Sequence, residues 1–468
     1  MRDWCTHWVQ SLGKKLGGRK PPVLAWCLDY PSPDREPRFV PSGRVVQGWV
    51  LLPGKSTDAL SSVRVVCHLQ PTFELCCPLN VERPDVVERV LNDSPADHPQ
   101  LGCGFRFTVP PDLAMFALSL EIKGQRWPLQ QVKVAPHTPE DAVLKVLRGK
   151  NNWLFLDNDT NFSVDQFAGY MRLTDQGLAS WADYASALEA GFDGLGRPAV
   201  MLVAPTKESV LGRYHPMTAA TVPMLQPVFD LLPQEQLIYP AIELRDALGD
   251  EAFFKTDTHW TQKGAGLASA LVAKRLGAPP NRVDRLLAKD RYKTREHAGD
   301  LGNKLRPRVY ASASFLSSFN YRKWVVYDNG LPNFGRMMVI HYPKALVNET
   351  FLVFGSSSSY SMFNYLCRFF RRLIFVHSAG NIDPELIKVV EPDSVVAQTN
   401  ARFMIRPPVA DYSLKQTIHT KQRTLDEAGR EKQSKQRYLG DMELVNKLGL
   451  APWHERVPLP DDNQADSS

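Results

Sequence analysis

The sequence predicts an α/β domain with a mostly parallel sheet flanked by helices, preceded by an all-β sandwich domain. Three observations predict it. Residues 20–136 consist of short Val-, Phe- and Leu-rich runs separated by Gly, Pro, Asp or Ser. From about 140 to 406 such runs alternate with stretches of helical periodicity. At 468 residues the chain also exceeds the roughly 100–200 residues of a single domain.

The elements follow in order. Residues 1–19 form a leader with no apolar core of signal-peptide length and no small-residue cleavage site. Trp4, Trp8, Val9 and Leu12 fall near helical spacing, so the leader reads either as an amphipathic helix or as a frayed end. "RVVQGWVLLP", "SSVRVVCHLQ", "GFRFTVP" and "FALSLEIKG" are the strands of the sandwich. "ERPDVVERVLNDSP" interrupts them with a short helical insertion, and no His or carboxylate cluster converges there. This domain is therefore assigned a binding or packing role.

In the second domain, "NNWLFLD" is a strand and "TDQGLASWADYASALEAGFDGLG" a helix. "RPAVMLVAPTKE" is a buried strand running into a polar loop. "GAGLASALVAKRLGAPP" is a helix that Gly277 and Pro279 terminate. "ETFLVFGSSSSYSMFNYLCRFF" reads as strand, turn and helix, and "LIFVHSAG" and "PDSVVAQTN" as further strands. Residues 407–468 form a charged extension, partly disordered, with "PLPDDNQADSS" as its disordered end.

Composition excludes several classes. Hydrophobic content of 43% and charged content of 23% fit a globular protein. The net charge of +6 is dispersed, as on a solvated surface, with no basic stripe interleaved with aromatics, so no nucleic-acid partner is expected. There is no P-loop, no HExxH and no CxxC among the seven cysteines, so no nucleotide cofactor or metal is expected. No stretch approaches the ~20 apolar residues of a membrane span. Unpaired cysteines favour a reducing compartment, which places the chain in the cytoplasm, at most peripheral to the inner membrane.

Two short stretches carry chemistry. In "FLVFGSSSSYSMFNYL" a buried strand leads through Gly355 and four serines into a helix. A serine there sits near a helix N-terminus, whose N–H groups stabilise an oxyanion. Ser357 stands second after the glycine. The same serines also fit the ordinary role of helix caps. In "FFKTDTHWTQKG" Asp257 and His259 stand two apart. If extended, they face one side, and the carboxylate orients an imidazole that takes a proton from Ser357. The alternative is a polar turn in which Asp257 or Thr258 caps the next helix.

"GKNNWLFLDND", "VAPTKESVLGRYHP", "KTDTHWTQKGA", "GDLGNKL" and "FLVFGSSSSYS" occur in this order. The series resembles the alginate O-acetyltransferase-like branch of the SGNH hydrolases, in which Asp-x-His-Trp precedes a Gly-x-Ser turn. The resemblance covers roughly 140–405. It implies an SGNH-hydrolase-like fold with Ser357 as nucleophile, His259 as general base and Asp257 as its orienter. It implies Lys207 of the Pro-x-Lys loop as a substrate-positioning residue, joined by Trp260, Tyr360 and Arg402 as candidate substrate contacts. Two departures stand out. Gly-Ser-Ser replaces Gly-Thr-Ser or Gly-Asp-Ser, which leaves Ser356 and Ser358 as substitutes for Ser357. "QTNARF" replaces Glu-x-x-Glu-Arg, keeping Arg402 without the acids.

The resemblance thus implies a serine-dependent O-acetyltransferase acting on sugar hydroxyls of a bacterial cell-surface polysaccharide or its precursor. No bound cofactor is implied, and the acetyl donor is unidentified. Partners would be the glycan, polysaccharide-assembly proteins or an acyl-donating membrane protein. A carbohydrate acetylesterase of the same fold and a non-catalytic glycan-binding scaffold are the alternatives.

Overall fold

The computed structural model describes residues 20–40, 42–54, 60–137 and 145–454. The leader and "PLPDDNQADSS" lie outside the described residues. The chain divides into two compact units. One comprises Met1–Leu147, Leu156–Leu178 and Met217–Met224; the other comprises Arg148–Phe155, Ala179–Pro216 and Leu225–Ser468.

The first unit carries β1 (Ala25–Tyr30), β2 (Phe39–Val40), β3 (Gly43–Leu51), β4 (Val63–Gln70), β5 (Phe73–Pro78), β6 (Gly104–Val109), β7 (Met115–Ile122) and β8 (Gln125–Lys133). A short ribbon, β9 (Val146–Arg148) with β10 (Leu154–Leu156), follows, and then β11 (Met171–Leu173). Two antiparallel sheets result. In one, β3 pairs with β1, β2 and β6. The other runs β11-β5-β4-β7-β8. Alternation decides which faces are buried: Phe116, Leu118 and Leu120 of β7 point inward. Glu74 of β5 is buried because Arg126 Nη1 and Arg172 Nε reach its carboxylate, each at 2.9 Å. Strand β11 pairs Arg172 opposite Glu74, so residues 156–178 pack with this unit. Cys67, Cys76, Cys77, Cys103 and Cys367 are free thiols.

The second unit is built on an eight-stranded sheet. Its strands are β12 (Ala199–Ala204), β13 (Leu237–Ile238), β16 (Val325–Asp328), β17 (Met337–His341), β18 (Val347–Gly355), β19 (Phe370–His377), β20 (Ser394–Asn400) and β21 (Tyr438–Leu439). Between them in sequence, β14 (Tyr292–His297) and β15 (Ala311–Leu316) form a separate antiparallel ribbon. The sheet order is β13-β12-β20-β18-β19-β17-β16-β21. The first five strands are parallel and the last three antiparallel. The sheet is therefore mixed. β16 and β17 follow each other without a crossover helix, and a short connection permits only antiparallel pairing. β12 and β20 are buried at every residue, as central strands covered on both faces are.

The charged extension, through residue 454, is folded. Helices Leu414–Thr424, Glu427–Gln436 and Met442–Lys447 bury Leu414, Ile418 and Val445, and Leu450 and Trp453 follow. Asp383 anchors the first of them, accepting from Leu414 N at 2.8 Å. β21 then pairs with β16 at the sheet edge. The sparse apolar positions among many charges hid this packing in the sequence. No described helix is long and apolar enough to cross a membrane.

β12, β20 and β18 are adjacent and parallel, so their carboxyl ends open to the same side, where sites of open α/β sheets form. The serine turn follows β18, Lys207 follows β12 and Arg402 follows β20.

Candidate active site

β18 ends at Gly355. A Cβ there would lie 2.3 Å from Ser359 Oγ and 2.9 Å from the Phe375 ring, so space, not backbone freedom, demands glycine. The four serines then separate. Ser356, Ser358 and Ser359 are buried, at 1%, 6% and 0% exposure, whereas Ser357 is half-buried. Gln398 Oε1 on β20 accepts from Ser356 N at 2.8 Å and from Ser359 Oγ at 2.7 Å. Ser358 Oγ donates to Asn400 Oδ1 at 2.8 Å. Ser358 occupies the cap position of helix Ser359–Phe369 yet makes no capping bond. Buried hydroxyls need partners, and here the amides of β20 supply them. Gln398 and Asn400, seen in the sequence only as lost acids, are the anchors of the serine turn.

The Asp-x-His stretch is not extended. Phe253 and Trp260 form an antiparallel bridge, and Phe254 N donates to His259 O at 3.2 Å, closing a tight turn. Asp257 Oδ1 accepts from both His259 N (2.9 Å) and His259 Nδ1 (2.7 Å). The facing of Asp and His thus comes from an Asx-type turn rather than strand alternation. The helix cap is Thr261, which accepts from Gly264 N at 3.2 Å; neither Asp257 nor Thr258 caps it. His259 Nε2 stands 3.0 Å from Ser357 Oγ. Trp260 is 2% exposed, and its Nε1 donates to Ser361 Oγ at 2.9 Å and Ser358 O at 3.1 Å. It joins the two turns and has no surface for a substrate.

The outer side of Asp257 is closed by "HAGD", of which the sequence reading singled out only Gly299 and Asp300, within "GDLGNKL", and gave them no role. Asp257 Oδ2 accepts from Asp300 N at 3.0 Å and lies 3.4 Å from His297 Nε2. Gly299, at φ +64°, has no room for a Cβ, which would lie 2.4 Å from that of Asp257. Asp300 Oδ1 accepts from Thr258 N at 2.7 Å and Oδ2 stands 3.9 Å from His259 Nδ1. Burial pushes the Asp257 carboxyl upward, but its bonds with His259 and the nearby His297 imidazole outweigh that and hold it well below the usual carboxylate range. Asp257, His259 and Asp300 place possible metal-ligand atoms within 4.8 Å of one another. Those atoms are engaged: Asp257 on His259, Asp300 on Thr258.

The remaining candidates separate clearly. Lys207 is 3% exposed, and its Nζ donates to Leu154 O at 2.7 Å and reaches Lys255 O at 3.4 Å. It lies 5.5 Å from the Phe155 ring centroid and 5.7 Å from that of Trp153. Burial pushes it down to about 7, against the upward pull of Asp257, Asp300 and Glu208. It staples the chain two residues before Asp257 and offers no substrate contact. Arg402 is the middle residue of the turn Ala401–Phe403, its guanidinium 5.0 Å from the Phe403 ring centroid. Tyr360 is half-buried, its hydroxyl 3.1 Å from His377 Nδ1. It lines a groove of about 660 Å³ with Ser361, Arg295, Phe315, Phe319 and Arg322. The groove lining holds two arginines and no carboxylate, and part of its wall is the first turn after Ser357.

Residues 146–313 match the family described as the SGNH hydrolase-like domain of the acetyltransferase AlgX. Over this stretch the chain is similar to an alginate O-acetyltransferase-like SGNH domain. The matched stretch contains Asp257, His259 and Asp300 and ends before Ser357. The probable alginate O-acetylase AlgJ of Pseudomonas fluorescens is 26% identical over 166 residues, 33% of this chain; the match spans 40% of that protein's length. Among solved structures, PatB1 of Bacillus cereus shares 12% identity with a TM-score of 0.40, covering 57% of this chain and 99% of that one. The O-acetyltransferase domain of Pseudomonas putida AlgJ shares 16% with a TM-score of 0.35, covering 62% and 99%.

Proposed function

We propose that the SGNH domain is a serine-dependent O-acetyltransferase acting on sugar hydroxyls of a bacterial cell-surface polysaccharide or its precursor. The observation that carries this is the relay from Asp257 Oδ1 to His259 (2.7 Å) to Ser357 Oγ (3.0 Å). Ser357 Oγ attacks the donor's acyl carbon while His259 Nε2 takes its proton. The tetrahedral oxyanion meets the Ser357 N–H at the helix start, then collapses as the leaving oxygen receives the proton from His259. The sugar hydroxyl attacks acetyl-Ser357, passes its proton to His259, and leaves as the ester while Ser357 is regenerated. Asp257 orients the imidazole throughout and stabilises its cationic form. The groove beside the first turn after Ser357, with aromatic faces and arginines, is where a glycan acceptor binds. The two antiparallel sheets of the first unit form a sandwich with a packing or glycan-binding role. The free thiols favour a cytoplasmic setting, peripheral to the membrane.

The test is intact mass spectrometry after exposure to an aryl acetate. One acetyl adduct, mapped to Ser357 and absent in Ser357→Ala, is expected. Adding oligosaccharide should divert the acetyl group from water to sugar. Full turnover in both Ser357→Ala and His259→Ala would overturn the assignment.

A further inference from the structure

Asp257 has two oxygens and two imidazoles. His259 holds Oδ1, while His297 Nε2 lies 3.4 Å from Oδ2. His297 Nε2 is sealed from solvent and has no hydrogen-bond partner among the described residues. A buried N–H without an acceptor costs free energy, so the nearest acceptor governs its position, and that acceptor is Asp257. The ring is fixed for this contact: its centroid lies 4.8 Å from that of Phe254 and 5.4 Å from that of Phe315. Its backbone carbonyl accepts from Thr256 Oγ1 at 2.8 Å, tying β14 to the turn that carries Asp257.

We propose that His297 is a positioning residue of the Ser357 centre, sharing the Asp257 carboxylate with His259 and thereby limiting how strongly that carboxylate holds a proton on His259. Each donor on a carboxylate weakens it as an acceptor for the next. With Asp300 N and His297 both on Oδ2, Oδ1 attracts the His259 cation less than an unshared carboxylate would. Protonation of the two imidazoles is also linked, since two cations would flank one carboxylate. The other charges near the pair are the buried Lys207 ammonium, which acts on Asp257, Asp300 at 3.9 Å from His259 Nδ1, and the Arg295 guanidinium, 3.8 Å from the Phe315 ring centroid. None of these replaces the donor at Oδ2. The catalytic consequence rests on the acyl-transfer function proposed above; the imidazole pairing does not.

The experiment is an imidazole NMR titration of the full chain from pH 5 to 9, in the wild type, His297→Phe and His297→Gln, alongside kcat/KM profiles on an aryl acetate. Phenylalanine keeps the ring packing and removes the donor; glutamine retains an N–H. In His297→Phe the His259 midpoint and the acid limb of kcat/KM should both rise by about half a pH unit or more. His297→Gln should restore most of the shift. In the wild type alone, the two imidazoles should titrate in broadened, coupled steps. Superimposable His259 curves in wild type and His297→Phe, or independent single-step titrations in the wild type, would overturn the proposal. If the imidazoles behave as expected while the wild type shows no acetyl turnover, the pairing stands and the acyl-transfer function falls.

Discussion

The two turns that meet at the centre are built in opposite ways. The serine turn is held by neutral partners: the amides of Gln398 and Asn400 take the buried serines and leave Ser357 half-exposed. The Asp-His turn is held by charge: Asp257 and Asp300 engage the turn's N–H groups, and Lys207 anchors its leading edge. A nucleophile must lose and regain a proton, so a neutral cradle leaves its hydroxyl chemistry unbiased. In the proposed mechanism the base carries positive charge transiently, and a carboxylate beside it suits that role. Trp260 ties the two together alongside the His259–Ser357 contact.

That contrast can be broken at several points. Ser357→Ala or His259→Ala should reduce acetyl turnover by about 10³-fold or more with the fold intact, whereas Ser358→Ala should leave most of it. The readout is initial rate, with circular dichroism as the control. Asp257→Asn should cost about 10²–10⁴-fold in kcat, since the imidazole loses its orienting charge. Gln398→Leu, a change in the neutral cradle, should destabilise the second unit by roughly 2–4 kcal/mol in urea unfolding, because two buried serines lose their acceptor. Trp260→Phe should lower kcat by about tenfold with KM little changed, since Ser357 and His259 drift apart.

Lys207 gives the effect with a sign. Its folded value, pushed down to about 7, lies below its unfolded one, so the unfolded chain binds the extra proton between those values. Stability therefore rises with pH from about 7 toward the unfolded value of about 10.4. Relative to Lys207→Met, the wild type should gain roughly 2–3 kcal/mol between pH 7 and 9, read as the difference of two urea titrations. A flat difference would show that Lys207 keeps its charge inside the fold.

Much of the centre was legible because each half is local. Asp257 and His259 stand two apart, and Ser357 sits in a strand-turn-helix whose shape the sequence reveals. What the sequence hid was set by topology. Gln398 and Asn400 reach the serines only because β20 lies beside β18. His297 and Asp300 reach Asp257 from about forty residues away, through a glycine whose role depends on a contact. Lys207 and Trp260 have the chemistry of substrate contacts, and only burial reveals them as internal ties. The sheet's parallel half followed from strand-helix alternation. Its antiparallel end did not, because β16 and β17 have no helix between them and β21 is only two residues long.

The sheet order has one more consequence. Among the described residues its two outermost strands, β13 and β21, are each two residues long. An edge that short gives another chain almost no ladder of free N–H and C=O groups to extend. A chain adding to β13 or β21 would find only two residues to pair with on either strand.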